Sequence, residues 1–140
     1  MGLDNGIHLI TKHQLDLDDW EIKPDYTTIS FDEFSTREYK DGYYYDVCYW
    51  RKCWDLRYKS IDILGCSNEG GVYEIDKPSQ LEEIQNAIFE CLKNPEDWRQ
   101  YCWSIDEMAG HFGQSIIDLS WLIDYLEKDK TAKVKFYDSY

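Results

Sequence analysis

Between Tyr43 and Leu64 the pattern of apolar side chains changes from that of a strand to that of a helix, and this switch restricts the fold more than any other feature. Asp41-Gly42 is a turn signal, and the dense aromatic and β-branched run from Tyr43 to Tyr49 after it reads as a central strand. From there Trp50, Cys53, Trp54, Arg57, Ile61 and Leu64 recur along one face of a helix. Gly65 is placed to end that helix, because glycine adopts the left-handed backbone of a helix terminus without a steric penalty. A strand feeding straight into a helix calls for a sheet with helices packed on it.

The flanking segments fit the same plan. Gly6 to Thr11 is short and rich in β formers, so it reads as a first strand, with Met1 to Gly6 as a tight loop before it. Asp16 to Tyr26 is acidic and reads as a surface loop, and Thr27 to Phe31 as a weaker strand. Gly71 to Ile75 follows a turn at Glu69-Gly70 and reads as another strand. Ser79-Gln80-Leu81-Glu82 matches a capping box, and Leu81, Ile84, Ile88, Cys91 and Leu92 form the apolar stripe of the helix it opens. Asn94-Pro95 stops that helix. A second box, Ser104-Ile105-Asp106-Glu107, opens a C-terminal helical region carrying Met108, Phe112, Ile116, Leu119, Leu122, Ile123 and Leu126. Gly110 and Gly113 predict a break in its first turns, and Lys133 to Tyr137 alternates as an edge strand does. The expected fold is α+β: one domain over residues 1–140, a small, mainly antiparallel sheet packed by about three helices.

Composition narrows the function classes. The chain has 140 residues with 12 Tyr and 6 Trp, too aromatic for a disordered segment. Its 28 acidic and 15 basic side chains give a formal charge of −13, which repels nucleic acid and anionic membrane and attracts basic surfaces. Simple solubility is the competing explanation of that charge. The cysteines, Cys48, Cys53, Cys66, Cys91 and Cys102, are odd in number and contain no CxxC pair. No signal-peptide pattern opens the chain and no apolar run has membrane-spanning length, so reduced thiols in a cytosolic protein are expected. Gly2 hints at myristoylation, but Gly6 stands where Ser or Thr is needed.

The stretch Tyr49 to Lys59 is the most distinctive for chemistry. Arg51, Lys52, Arg57 and Lys59 cluster there among Tyr49, Trp50, Trp54 and Tyr58. With Arg51 and Lys52 at the first turn of a helix, free backbone amides and cations would together favour an anion. A nucleotide site would use Arg51, Lys52 and Arg57 on phosphates, with Trp50 or Trp54 stacking the base. In the competing reading Trp50, Trp54 and Ile61 are core, Arg51 and Asp55 form an exposed pair, and the cations neutralise acids such as Asp46 and Asp62.

Two short motifs, Met1-Gly2-Leu3-Asp4 and Tyr49-Trp50-Arg51-Lys52, resemble a group of small phage and prophage proteins that begin Met-Gly-Leu-Asp and carry Tyr-Trp-Arg-Lys at a strand-to-helix junction. Where that group often continues with Ala-Asn and later His-Lys-Trp, Cys53-Trp54 and Arg57-Tyr58 stand here. The group carries no assigned activity, so the resemblance implies an origin in a phage or mobile element and expression in a bacterial cytoplasm. It also implies that Asp4 and Arg51 lie close in space.

Catalytic and metal signals are weak. His8, His13 and His111 are scattered outside any HxxxH or HExxH pattern, with His111 expected in or near the core, and neither a Gly-rich phosphate loop nor a G-x-S-x-G elbow occurs. No cofactor, metal, direct nucleic-acid or membrane partner is expected. The expected function is that of an acidic, non-enzymatic binding protein that occupies the surface of a bacterial host defence protein, replacing nucleic-acid phosphates on a basic groove. Candidate contacts are Asp16, Asp18, Asp19, Glu21, Asp32 and Glu33, with Tyr43, Tyr44 and Tyr45 as exposed tyrosines. The alternative is a small-ligand sponge that sequesters a nucleotide signal through Trp50, Arg51, Lys52, Trp54 and Arg57.

Overall fold

A computed structural model describes residues 3–12, 24–25, 43–94 and 105–139. Its elements in chain order are β1 (Asp4–Thr11), β2 (Pro24–Asp25), β3 (Tyr43–Arg51), α1 (Trp54–Leu64), β4 (Gly71–Glu74), α2 (Pro78–Lys93), α3 (Ile105–Lys128) and β5 (Lys133–Ser139). All strand pairs are antiparallel, in the order β2-β3-β1-β5-β4. This is the α+β fold expected, with three helices among the described residues packed on a mainly antiparallel sheet. No described helix is long and apolar enough to cross a membrane.

Period-two alternation assigns the strand residues to two faces. Ile7 and Leu9 of β1 stand beside Phe136 and Val134 of β5 and beside Cys48 and Tyr45 of β3, and all are buried with the helices. From the helices come Leu56 of α1, Leu81, Ile84, Ile88 and Cys91 of α2, and Met108, Phe112, Leu119 and Leu122 of α3. The register of β1 on β3 shifts between Ile7 and His8, so Val47 is an extra residue on β3, and Val47 and Cys48 are both buried. On the opposite face His8 Nε2 lies 2.9 Å from Asp46 Oδ1, the His8 ring stacks on Tyr137, and Lys135 Nζ lies 3.9 Å from Glu74 Oε2. Gly6 shares the His8 face of β1, and a Cβ there would meet Cys48 O at 3.0 Å and His8 Nε2 at 3.2 Å.

Several sequence expectations are corrected. β1 begins at Asp4 rather than Gly6, so Asp4, Asn5 and Gly6 of the expected N-terminal loop are strand. Tyr43–Tyr49 extends to Arg51, which moves Trp50 and Arg51 from the helix into β3 and starts α1 only at Trp54. The face of α1 that is fully buried holds Leu56, Arg57 and Ser60, while Trp54, Ile61 and Leu64 are half-buried. Lys133–Tyr137 is an inner strand, because β4 pairs outside it. α3 passes through Gly110 and Gly113 unbroken, and α2 starts one residue ahead of Ser79, at Pro78. There Gln80 Oε1 accepts from the Lys77 backbone N–H at 3.2 Å, the role expected of Glu82 in a Ser79-led box. Gly65 does end α1, at φ 68°. Pro24 and Asp25, read as loop, pair with Tyr45 and Tyr44 as a short edge strand. Thr27 to Phe31 and Ser104 lie outside the described residues.

Candidate functional site: the strand-to-helix junction

The two motifs that are far apart in sequence meet in space. Antiparallel pairing sets Asp4 opposite Arg51 and Asn5 opposite Trp50, and the Lys52 N–H donates to Leu3 O at 2.7 Å. Asp4 Oδ1 accepts a 2.6 Å hydrogen bond from the Tyr49 hydroxyl. That bond favours the neutral phenol, and with desolvation it pushes the Tyr49 pKa up to about 12. Asp4 and Arg51 are thus neighbours, as the resemblance implies, and the Asp4 carboxylate is engaged by Tyr49.

Residues of the Tyr49–Lys59 segment divide by the face on which they emerge. Trp50 points into the core, 1% exposed, and its Nε1 donates to Ser115 Oγ of α3 at 3.0 Å, so it cannot stack a base. Arg57 is equally sealed, at 1% exposed. Its Nε and Nη2 hold Asp138 Oδ1 and Oδ2 of β5 at 2.7 and 2.9 Å, and its Nη1 donates to Asn68 Oδ1 at 2.7 Å. Asn5 Nδ2 adds a 2.8 Å bond to Asp138 Oδ1. The guanidinium also lies 5.7 Å from the Trp54 ring centroid and 5.5 Å from that of Tyr58. A bidentate arginine with those partners has no fork left for a phosphate. Asp138 lies 81 residues from Arg57 and Asn68 lies 11, so neither partner leaves a signal within one helical turn of it.

Arg51 and Lys52 are exposed, Trp54 is half-buried, and Tyr49 and Tyr58 present their rings to solvent. Lys52 has φ 58°, the left-handed region that non-glycine side chains avoid, and it turns the chain from β3 into α1. The N-cap of α1 is Cys53, which makes no side-chain cap; its Sγ lies 3.4 Å from Arg51 O. The cations expected inside the first helical turn thus sit just ahead of it, where the Cys53 side chain makes no cap. Asp55 within that turn already offsets part of the positive end of the helix.

Other expected contacts fall differently. Tyr45 is fully buried in the core rather than exposed, because β3 turns it toward the helices. Asp16, Asp18, Asp19, Glu21, Asp32 and Glu33 lie outside the described residues, as do the side chains of Tyr43 and Tyr44. His111 is exposed, while His8 is buried against Asp46 and Tyr137. Among the described residues no group of His, Cys, Asp or Glu is arranged to hold a metal ion. Burial, with Asp118 and Asp46 nearby, pushes the Cys48 thiol well above its usual range, and burial raises Cys66 as well. A shallow cleft of about 270 Å³ lies between β4, the start of α2 and the end of α3, where Lys77, Lys130 and Lys133 are offset by Glu74, Asp76 and Asp129. No protein-family model matches the chain, and neither a curated protein nor a solved structure shows significant similarity to it.

Proposed function

We propose that this chain acts by binding the basic surface of a protein partner, without catalysis. The resemblance to small phage proteins makes that partner a bacterial host protein, met in the host cytoplasm. The observation that supports this reading is the division of the Tyr49–Lys59 segment. Trp50 and Arg57, the best groups for stacking a base and gripping phosphate, are engaged inside the fold, while the exposed charges of α2 and α3 are mostly carboxylates. Glu82, Glu83 and Glu90 of α2 and Asp106, Glu107, Asp124 and Glu127 of α3 are exposed, against Lys93 and Lys128. A surface of that sign raises the encounter rate with a cationic groove and competes with nucleic acid for it.

The test is retention of a bacterial protein on the immobilised chain, followed by elution with salt and with duplex DNA. A retained protein released by both supports the reading. Retention that neither salt nor DNA disturbs would remove electrostatics from the explanation. The nucleotide reading survives in reduced form at Arg51, Lys52 and Trp54, because the start of α1 lies beside two exposed cations. A thermal shift with a nucleotide, abolished by Arg51→Ala with Lys52→Ala, would put that reading first.

A further inference from the structure

Helices α2 and α3 run antiparallel: Pro78 and Leu81 line the same cleft as Leu126 and Asp129, and Gln85 Nε2 donates to Ile116 O and Ser120 Oγ, both at 2.8 Å. The Gln85 bridge locks the outer seam between them. Phe89 lies one turn beyond Gln85, about 6 Å along α2, and is 45% exposed. Ile117 lies on the side of α3 away from the core stripe of Met108, Phe112, Leu119 and Leu122, and is 62% exposed. A Cβ at Gly113, one turn before Ile117, would meet nothing within 4 Å, so the surface beside these side chains is open. Scattered exposed apolar residues are ordinary. Here two large ones project from the same side of one helix pair, with Glu82 and Asp124 exposed toward the other end of that seam.

We propose that this outer seam of α2 and α3, centred on Phe89 and Ile117, is a docking surface for a basic amphipathic helix of a partner protein. An apolar stripe on such a helix would cover Phe89 and Ile117, Gly113 would allow close backbone approach, and the flanking lysines or arginines would meet the seam carboxylates. Charge decides the occupant: the exposed carboxylates of α2 and α3 outnumber Lys93 and Lys128, so a second copy of this chain would set mostly carboxylates against carboxylates. The proposal rests on the reading that the partner is basic, and it names the surface, which is separate from the strand-to-helix junction.

An amide NMR titration of the full chain with an amphipathic Leu/Lys helical peptide, with its Leu/Glu counterpart as control, tests it. At low salt the Leu/Lys peptide is expected to move amides around Gln85, Phe89, Gly113 and Ile117, and the Leu/Glu peptide to move none. Phe89→Ala and Ile117→Ala are each expected to weaken binding about tenfold. Both side chains are exposed, so unchanged melting curves will show that the variants remain folded. Binding that shifts amides elsewhere, or that ignores both substitutions, overturns the seam while leaving the basic-partner reading intact. Failure of the Leu/Lys peptide to bind at low salt overturns the seam, while release of a retained protein by salt and DNA still decides the basic-partner reading. A dimer dissolved by Ile117→Ala assigns the seam to a second copy and refutes the proposal.

Discussion

Replacing Arg57 by Leu tests the part of the fold on which the functional reading depends. Arg57 and Asp138 form an ion pair whose side chains are 1% and 0% exposed, tied by two charge-assisted bonds of 2.7 and 2.9 Å. In the variant, Asp138 keeps the Asn5 Nδ2 bond but loses its counter-ion, and Asn68 Oδ1 loses its 2.7 Å donor. Breaking one side of a buried pair costs about 3–5 kcal/mol, because an uncompensated charge stays in a low dielectric. Against a total stability of about 5–15 kcal/mol this is a large fraction. For a chain of this size it corresponds to a melting temperature lower by about 10–15 °C. Circular dichroism melts and urea titrations of Arg57→Leu, Asp138→Leu and the double variant close a thermodynamic cycle. The double variant is expected to be more stable than either single one, since both charges leave the interior together. A loss below about 1 kcal/mol in Arg57→Leu, the range of an exposed pair, would refute the burial of Arg57. It would also return Arg57 to the list of groups free to hold a ligand.

The remaining predictions concern single sites. Gly6→Ala is expected to destabilise by about 1–3 kcal/mol, because the new methyl meets Cys48 O at 3.0 Å in the middle of the sheet. Gly110→Ala, in open space within α3, is expected to stabilise by about 0.5–1 kcal/mol in the same urea assay. Lys52→Gly is expected to be neutral or stabilising by about 1 kcal/mol, since it removes a side chain from a φ of 58°. Phenolate absorbance should place Tyr49 near pH 12 in wild type and nearer its usual value of 10 in Asp4→Asn. Because the raised pKa belongs to the folded state, the stability tied to Tyr49 is complete below pH 10 and is lost as pH rises toward about 12. In native protein an alkylating reagent should modify the half-buried Cys66 before the buried Cys48, an order read by peptide mass mapping.

Local signals in the sequence determined the class of structure. Apolar periodicity located β3, α1, α2, α3 and β5 to within a few residues, Gly65 marked a real helix end, and Asn94 closes α2 where Asn94-Pro95 predicts a stop. Those signals act over a turn or a few strand residues, which is why they survive without tertiary context. Tertiary packing decided what each side chain of the distinctive segment does. Helical spacing placed Trp50 and Arg57 on one face of a helix, but sheet pairing with β1 continues to Arg51, so Trp50 stays in a strand and turns toward Ser115. Arg57 turned inward because Asp138, 81 residues away, offers a buried carboxylate at the end of an inner strand. The same distance effect hid the rank of β5: its alternating charges read as an edge, yet β4 covers it, and Lys135 and Asp138 are held by Glu74 and Arg57. Long-range partners of this kind follow from how strands are ordered, which no local window of sequence encodes.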